Sequence, residues 1–270
     1  MKKRALLLGI IALLATSLIG CSNGKEEAKE DTQKPAEKKV IQVATTGQYF
    51  PFSYLENEKV VGFDIDVWEE IGKRLGKEIE WTTTSFDGMF GMLESGKVDS
   101  VASQVAVTDD RKDKYDFSEI YAYTPYKICV SGENTDINCL EDLYGKSMSL
   151  PASCSSMEFL KKVDPEEKIE RKVYDFAAGG DIYKDTEIGR VVAITHSVVN
   201  FEQAIKEGNY NLKLVGDVLF QEENAFPFRK DDESKKLKAE VDKVIKEMRE
   251  DGTLKELSEK WFGFDSTTAM

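Results

Sequence analysis

An α/β fold with mostly parallel sheets is what this sequence predicts, and three observations carry the reading. Short β-rich segments alternate with segments whose apolar residues recur every three or four positions. The helical segments open near Ser, Thr or acidic residues and several stop at Gly. The 270 residues are 41% hydrophobic and 32% charged, enough apolar material for a sizeable core in one or two domains.

The elements follow in chain order. "VIQVATT" (40–46) alternates and reads as a strand, and "QYFPFSYLE" (48–56) as an aromatic-rich loop. "VVGF" (60–63) is a short strand before a helix from Asp64, where Val67, Trp68, Ile71 and Leu75 share a face and Gly76 ends it. "EIEWTTT" (78–84) is a strand. Ser85 caps the next helix, with Phe86, Met89, Phe90 and Leu93 on one side and Gly96 as its stop. "SVASQVAV" (100–107) reads as a strand, and Thr108 caps a helical turn rich in acids at its start. "YKICVS" (126–131) is again a strand.

A second set of elements comes next. "CLEDLYG" (139–145) is a short helix and "KSMSL" (146–150) a strand. "SSMEFLKKV" (155–163) is a helix in which Ser155 and Glu158 have capping-box spacing. "IERKVYDF" (169–176) and "RVVAITH" (190–196) are strands, followed by a helix from Ser197 to Gly208 and a strand at "YNLKLVGD" (210–217). Beyond "ENAFPFRK" (223–230), Leu237, Val241, Val244, Ile245 and Met248 mark a long amphipathic helix. "DGTLKELSEKWFG" (251–263) breaks at Gly252 and restarts, with Thr253 and Glu256 spaced for another capping box.

The N-terminus stands apart. Lys2, Lys3 and Arg4 precede the apolar run "ALLLGIIALLATSLIG" (5–20), which has the shape of an export signal and is short for a membrane span. "LIGC" (18–21) is similar to a bacterial lipoprotein processing site, which implies cleavage before Cys21 and lipid on its sulfur. Removal of Lys2, Lys3 and Arg4 would take the net charge from −13 to −16. Residues 22–39 mix Lys and Glu without a large apolar side chain, so they read as a flexible tether.

Charge and composition exclude some functions. An acidic surface disfavours binding to nucleic acid, which depends on Lys and Arg neutralising phosphates. Cys129, Cys139 and Cys154 remain beside Cys21, either as one pair and a thiol or as three thiols. Their spacing matches no zinc pattern and His196 is the only histidine, so no metal or other cofactor is expected. "YGKSMS" (144–149) lacks the first glycine of a phosphate loop, because Leu140 stands there. His196 and Ser197 are adjacent on a strand and point to opposite faces, which argues against a nucleophile and its base.

The carboxylates of "GFDIDVWEEIGKRL" (62–75) admit two readings. Asp64 with Asp66, and Glu69 with Glu70, could be acid/base pairs. The simpler reading makes Asp64 or Asp66 the helix cap and lets the glutamates favour the positive helix end. Arg111 follows a capped turn at a strand end, where open α/β sheets bind ligands, and its fork suits a carboxylate. Against this stands an exposed salt bridge to Asp109, Asp110 or Asp113.

Taken together, residues from about Val40 to Phe264 resemble the periplasmic amino-acid-binding proteins of ABC importers, family 3 of the solute-binding proteins. "GFDIDVWEEIGKRL", "FDGMFGMLESGKVDSVASQVAVTDDRKDKYDFSEIYAY" (86–123) and "REDGTLKELSEKWFG" (249–263) carry the resemblance. It implies a two-lobed periplasmic-binding-protein type II fold with a hinge of two crossover segments. The expected divisions are a signal peptide 1–20, a tether 21–39, lobe one 40–123, lobe two 124–220, a return to lobe one 221–264 and a tail 265–270. It further implies that Arg111 grips a ligand carboxylate and that Ser103, Gln104 and Ala106 contact the ligand from a strand end. Tyr49 and Phe86 would be aromatic walls, and Ser153 and Ser155 would belong to a helix start facing the carboxylate. Thr46 stands where some relatives have an acid.

At one position the chain departs from that pattern. Relatives usually place an aspartate at Ser197 to pair with the ligand ammonium, and a buried ammonium without such a partner is costly. Either Glu222 or Glu223 takes that role, or the ligand is not an ordinary α-amino acid. Gln104 and "ENAFPFRK" hint at a cystine-type branch. The implied protein is a monomer, lipid-anchored at the extracytoplasmic face of the cell membrane, that delivers a polar amino acid, cystine or a related carboxylate to ABC permease subunits. A dehydratase-like enzyme on the same fold and a ligand sensor are the alternatives.

Overall fold

The computed structural model describes residues 39–151, 155–174, 181–199 and 201–270. The signal and tether, Cys21, Ser153 and Cys154 lie outside the described residues. The first lobe opens with β1 (Val40–Thr45), followed by three short antiparallel strands, β2 (Gln48–Tyr49), β3 (Ser53–Glu56) and β4 (Lys59–Val61). The aromatic segment expected as a loop is therefore a small sheet. Its rings form a packed cluster, with Phe52 fully buried against Phe63 and Phe262. Helix α1 (Phe63–Leu75), strand β5 (Glu78–Thr83), helix α2 (Phe86–Glu94) and strand β6 (Ser100–Val101) complete a parallel sheet of order β5-β1-β6. Helix α3 (Asp109–Lys114) and β7 (Asp116–Phe117) close the first pass.

The strand expected over 100–107 stops after two residues. Gln104 takes a left-handed backbone (φ 48°) and turns the chain away from the sheet. The freed segment docks instead on a later strand, where Val107 N–H donates to the Glu223 carbonyl and Ala225 N–H to that of Val105.

Strand β8 (Ala122–Ser131) leaves the first lobe and enters the second. There a 3-10 turn (Glu141–Leu143), β9 (Ser147–Pro151), α4 (Ser155–Val163), β10 (Glu170–Tyr174), α5 (Ile182–Glu187), β11 (Ala193–Ser197), α6 (Phe201–Gly208) and β12 (Leu212–Asn224) follow. Helix α5 was not expected from the sequence, because its six residues leave too little room for an apolar period. The sheet order is β10-β9-β11-β8-β12. Its first three strands are parallel, while β8 runs antiparallel to both β11 and β12, so the sheets are less uniformly parallel than expected.

Strands β8 and β12 are the crossovers. They are bonded to each other, with Ala122 opposite Asn224 and Thr124 opposite Glu222, so the lobes are joined by a two-stranded ribbon. From β12 the chain returns through β13 (Pro227–Phe228) to α7 (Asp232–Glu250) and α8 (Thr253–Phe262) on the first lobe. The final residues lie along the ribbon. The Ser266 carbonyl accepts from Tyr123 N–H at 2.7 Å, and Met270 N–H donates to the Gln221 side chain at 2.9 Å.

The helix faces bury as their periodicity demands. Val67, Trp68 and Ile71 of α1 meet Val241, Val244, Ile245 and Met248 of α7 in one apolar cluster. Tyr121, just before β8, and Phe226, two residues after β12, stack at 4.1 Å in the same cluster. Caps at Ser85 and Thr108 form as expected, accepting from Gly88 N–H and Arg111 N–H. Gly76 and Gly96 adopt left-handed backbones at the helix ends.

Three capping expectations are corrected. The α8 cap is Gly252 without a side-chain bond, and Thr253 N–H and hydroxyl turn back to Asp251 at 3.0 and 2.7 Å. The hydroxyl of Ser155 reaches Glu222 on β12 and not its own helix. Neither Asp64 nor Asp66 caps α1. The cap is Gly62, because the Pro51 and Phe52 carbonyls already accept from the Phe63 and Asp64 amides at 2.9 Å each. Asp66 accepts from Lys260 and Trp261 of α8 at 2.6 and 2.7 Å, and Glu69 from Trp81 at 2.8 Å. Glu70 accepts from Lys73 and Arg74 at 2.8 and 2.9 Å.

Gly62 cannot carry a side chain in this arrangement. Its φ is 137°, and an added Cβ would stand 2.2 Å from the Phe52 carbonyl oxygen. Gly62→Ala is expected to lower stability by about 2 kcal/mol or more through clash and backbone strain. Denaturant unfolding measures it, and a loss below about 0.5 kcal/mol would contradict the packing described.

Candidate functional site

A cavity of about 820 Å³ opens between the lobes, beyond the C-terminal ends of β1 and β6. The first lobe contributes Thr46, Gln48, Tyr49, Thr84, Ser85, Phe86, Ser103, Gln104, Ala106, Thr108, Asp110 and Arg111. The second contributes Tyr126, Ser155, Met157, Glu158 and Lys161, and the crossover β12 adds Glu222. Of the residues expected at the site, Thr46, Tyr49, Phe86, Ser103, Gln104, Ala106, Arg111 and Ser155 therefore face one cavity. Ser153 lies outside the described residues. Ser197 is buried at the end of β11 and is not in the cavity wall, and its hydroxyl accepts from Val199 N–H at 3.3 Å.

Arg111 is held by the protein's own groups. Thr108 caps its short helix, and one guanidinium N–H donates to the Ala106 carbonyl at 2.9 Å. The guanidinium carbon lies 5.4 Å from the Phe86 ring centre and 5.6 Å from that of Phe90. Planar rings of this kind favour a cation and keep the fork in one orientation. The salt bridges to Asp109, Asp110 or Asp113 considered above do not form; Asp109 pairs with Lys112 at 3.5 Å. Burial lowers the Arg111 pKa, while the negative charge of Glu222 works the other way. Arginine stays charged under either influence. Donors not used on Ala106 remain for a ligand anion, and two on one edge suit a carboxylate.

Glu222 supplies the opposite charge. Its carboxylate accepts from the Ser155 hydroxyl and, at 3.2 Å, from the Tyr126 hydroxyl. Tyr126 is itself held by stacking on Phe220 at 4.9 Å, which stacks in turn on Phe159. Burial raises the Glu222 pKa, and the two hydroxyl donors with Arg111 pull it back. The two charged groups therefore sense each other across one cavity.

The floor is a polar chain. Thr46 and Ser103 hydroxyls are 2.7 Å apart, and Ser53 lies 3.2 Å from Ser103. Gln104 Nε2 donates to Thr124 Oγ1 at 2.9 Å, and Thr124 donates to Asn224 Oδ1 at 2.6 Å. That chain runs from the cavity wall into both crossover strands. Behind it stands Asp64, with no exposed surface. One oxygen accepts the Gln104 backbone N–H at 2.8 Å and the other the Tyr121 hydroxyl at 2.8 Å. A buried carboxylate is thus the partner of a left-handed, non-glycine backbone at the cavity wall.

Sequence reasoning missed Asp64 in this role because an acid in a helix's first turn has the ordinary look of a dipole partner. Tyr126, Glu158 and Lys161 were also missed; on their own strand and helix they carry no motif. His196 does not enter the cavity. Its ring packs against Tyr183 and Phe201, Nε2 lies 3.2 Å from the Tyr183 hydroxyl, and burial lowers its pKa. Cys129 and Cys139 are free thiols, and burial pushes Cys129 up to about 12.

Known proteins resemble the chain along nearly all of this architecture. Residues 41–264 match the family described as bacterial extracellular solute-binding proteins, family 3. The Bacillus subtilis protein named "Probable amino-acid-binding protein YxeM" is 41% identical over 267 residues, covering 99% of this chain and 97% of that protein. The L-cystine-binding protein TcyA of the same organism is 32% identical over 272 residues, covering 97% of this chain and 98% of its own. A solved structure, the "probable amino-acid ABC transporter extracellular-binding protein ytmK from Bacillus subtilis", superposes with a TM-score of 0.76 at 28% identity. It covers 84% of this chain and 99% of that one.

Asp64 makes the stability of the molecule depend on pH. Burial pushes its carboxyl from 3.8 up to about 7, although the Gln104 amide and Tyr121 hydroxyl both favour the charged form. Between those values the folded chain holds a proton that the unfolded chain has released, so this contribution to stability falls as pH rises from about 4 to about 7. Asp64→Asn removes it. Unfolding curves across that range are expected to show a flatter pH dependence for the variant; parallel curves would show that Asp64 stays ionised throughout.

Proposed function

The chain belongs to the bacterial extracellular solute-binding proteins of family 3, and from that premise we propose that it captures a polar amino acid through its carboxylate on Arg111. It is an extracytoplasmic binding protein of the ABC-importer type and not an enzyme. The ligand lies in the cavity between the lobes, and the protein delivers it to the permease subunits of the importer.

One observation carries the proposal. Arg111 stands at the cavity wall, oriented by the Ala106 carbonyl and two phenylalanine rings, with no carboxylate of the described residues in ion-pair contact. A half-buried cation held in that way is matched by a ligand anion, and its planar fork selects a carboxylate. Tyr49 and Phe86 supply the flat apolar walls, and Ser103, Gln104 and Ser155 the polar contacts.

Cystine is the ligand we favour within this class. The relative TcyA is an L-cystine-binding protein, and a cavity of about 820 Å³ has room for a double-headed amino acid. The apolar run with "LIGC" supports lipid anchoring through Cys21 at the outer face of the cell membrane, and a monomer on a 22–39 tether is the form we propose.

Calorimetry with the purified protein over the standard L-amino acids and L-cystine tests the reading. Binding of at least one is expected, and binding of none by a folded protein overturns it. Arg111→Ala should weaken that ligand by about 2–5 kcal/mol, roughly thirtyfold or more, with little change in thermal stability. Unchanged affinity would remove Arg111 from the site.

A further inference from the structure

Resting on the amino-acid reading above, we propose that Glu222, on the crossover strand β12, is the acid that receives the ligand's α-ammonium, in place of any group at position 197. Position 197 cannot serve. Ser197 carries no charge, its hydroxyl is engaged by Val199 N–H at 3.3 Å, and the residue is buried outside the cavity wall.

Glu222 has what the role requires. It faces the same cavity as Arg111. Both of its described hydrogen-bond partners, the Ser155 and Tyr126 hydroxyls, are neutral. They fix the carboxylate's direction without cancelling its charge, and each oxygen keeps lone-pair capacity for another donor. No Lys or Arg among the described residues is in ion-pair contact with it, so its carboxylate stands half-buried, with Arg111 acting on it only from across the cavity. An ammonium arriving there replaces lost hydration with a charge-assisted bond.

Other acids fit less well. Glu223 is exposed and outside the wall, as strand alternation requires of the next residue. Asp110 and Glu158 line the cavity but are exposed, so solvent screens their charge. With Arg111 from the first lobe and Glu222 from the crossover strand both lining it, the cavity is arranged as the complement of a zwitterion. The ammonium contact then falls on the crossover ribbon, opposite Thr124 in the ladder.

The test compares each standard L-amino acid and L-cystine with its Nα-acetyl form, which keeps the carboxylate and loses the ammonium. The wild type is expected to prefer the free amine by about tenfold or more. Glu222→Gln should weaken the free amino acid by about tenfold or more and reduce the preference to within about threefold. A variant that keeps the wild-type preference overturns the assignment while leaving the amino-acid reading intact. A wild type that binds no free amino acid overturns the amino-acid reading, and the role of Glu222 with it. Should Glu222→Gln fail to fold, Glu222→Asp decides. The shorter acid should retain the preference with weakened affinity, and wild-type affinity would refute the contact.

Discussion

A single buried carboxylate connects the parts of this molecule that matter for binding. Asp64 lies in the first turn of α1, without solvent exposure, and accepts from the Gln104 amide and the Tyr121 hydroxyl. Leaving such a group without partners would cost several kcal/mol, so the surrounding backbone is strongly constrained to meet it. The Gln104 amide meets it in a left-handed conformation, which ends β6 after two residues and sends the next segment across to β12. Ala106 thereby comes to rest where its carbonyl orients Arg111. The helix start itself is free for this use because Pro51 and Phe52 carbonyls cap it.

Among the charged groups lining the cavity, Arg111 and Glu222 are each held by neutral or aromatic partners. Two half-buried charges left apart in this way are less stable than a direct pair would be, so the arrangement makes sense as a receptor and not as a stabilising element. Phe86 and Phe90 restrain Arg111, and Ser155 and Tyr126 restrain Glu222. Restraint before binding reduces the entropy that a ligand must offset on arrival.

Much of this was legible in the sequence where the signal is periodic or local. The faces of α1 and α7 follow from apolar spacing, and the caps at Ser85 and Thr108 from residue type. The elements that were misread share a cause, which is that long-range contact decides them. "QYFPFSYLE" became strands because its rings pack on Phe63 and Phe262. "SVASQVAV" lost most of its strand to the Asp64 contact and to docking on β12. Asp64 has the same local context as a dipole partner, and only its burial separates the two roles. Arg111 was visible as a candidate from its position after a strand. Its choice between surface ion pairs and the cavity depended on Phe86 and Phe90 packing beneath it, which spacing alone does not reveal.

The Asp64–Gln104 contact also bears on how such a chain can vary. Gln104 holds a backbone conformation that favours glycine, and the carboxylate is what supports it there. The two positions are forty residues apart in sequence, yet a change at one alters what the other tolerates. Replacement of Asp64 withdraws the acceptor from the 104 amide, so glycine becomes the favourable residue at 104, at the expense of the side chain that reaches Thr124. Drift at a position in the interior of one lobe would then change which side chain the cavity wall favours at position 104.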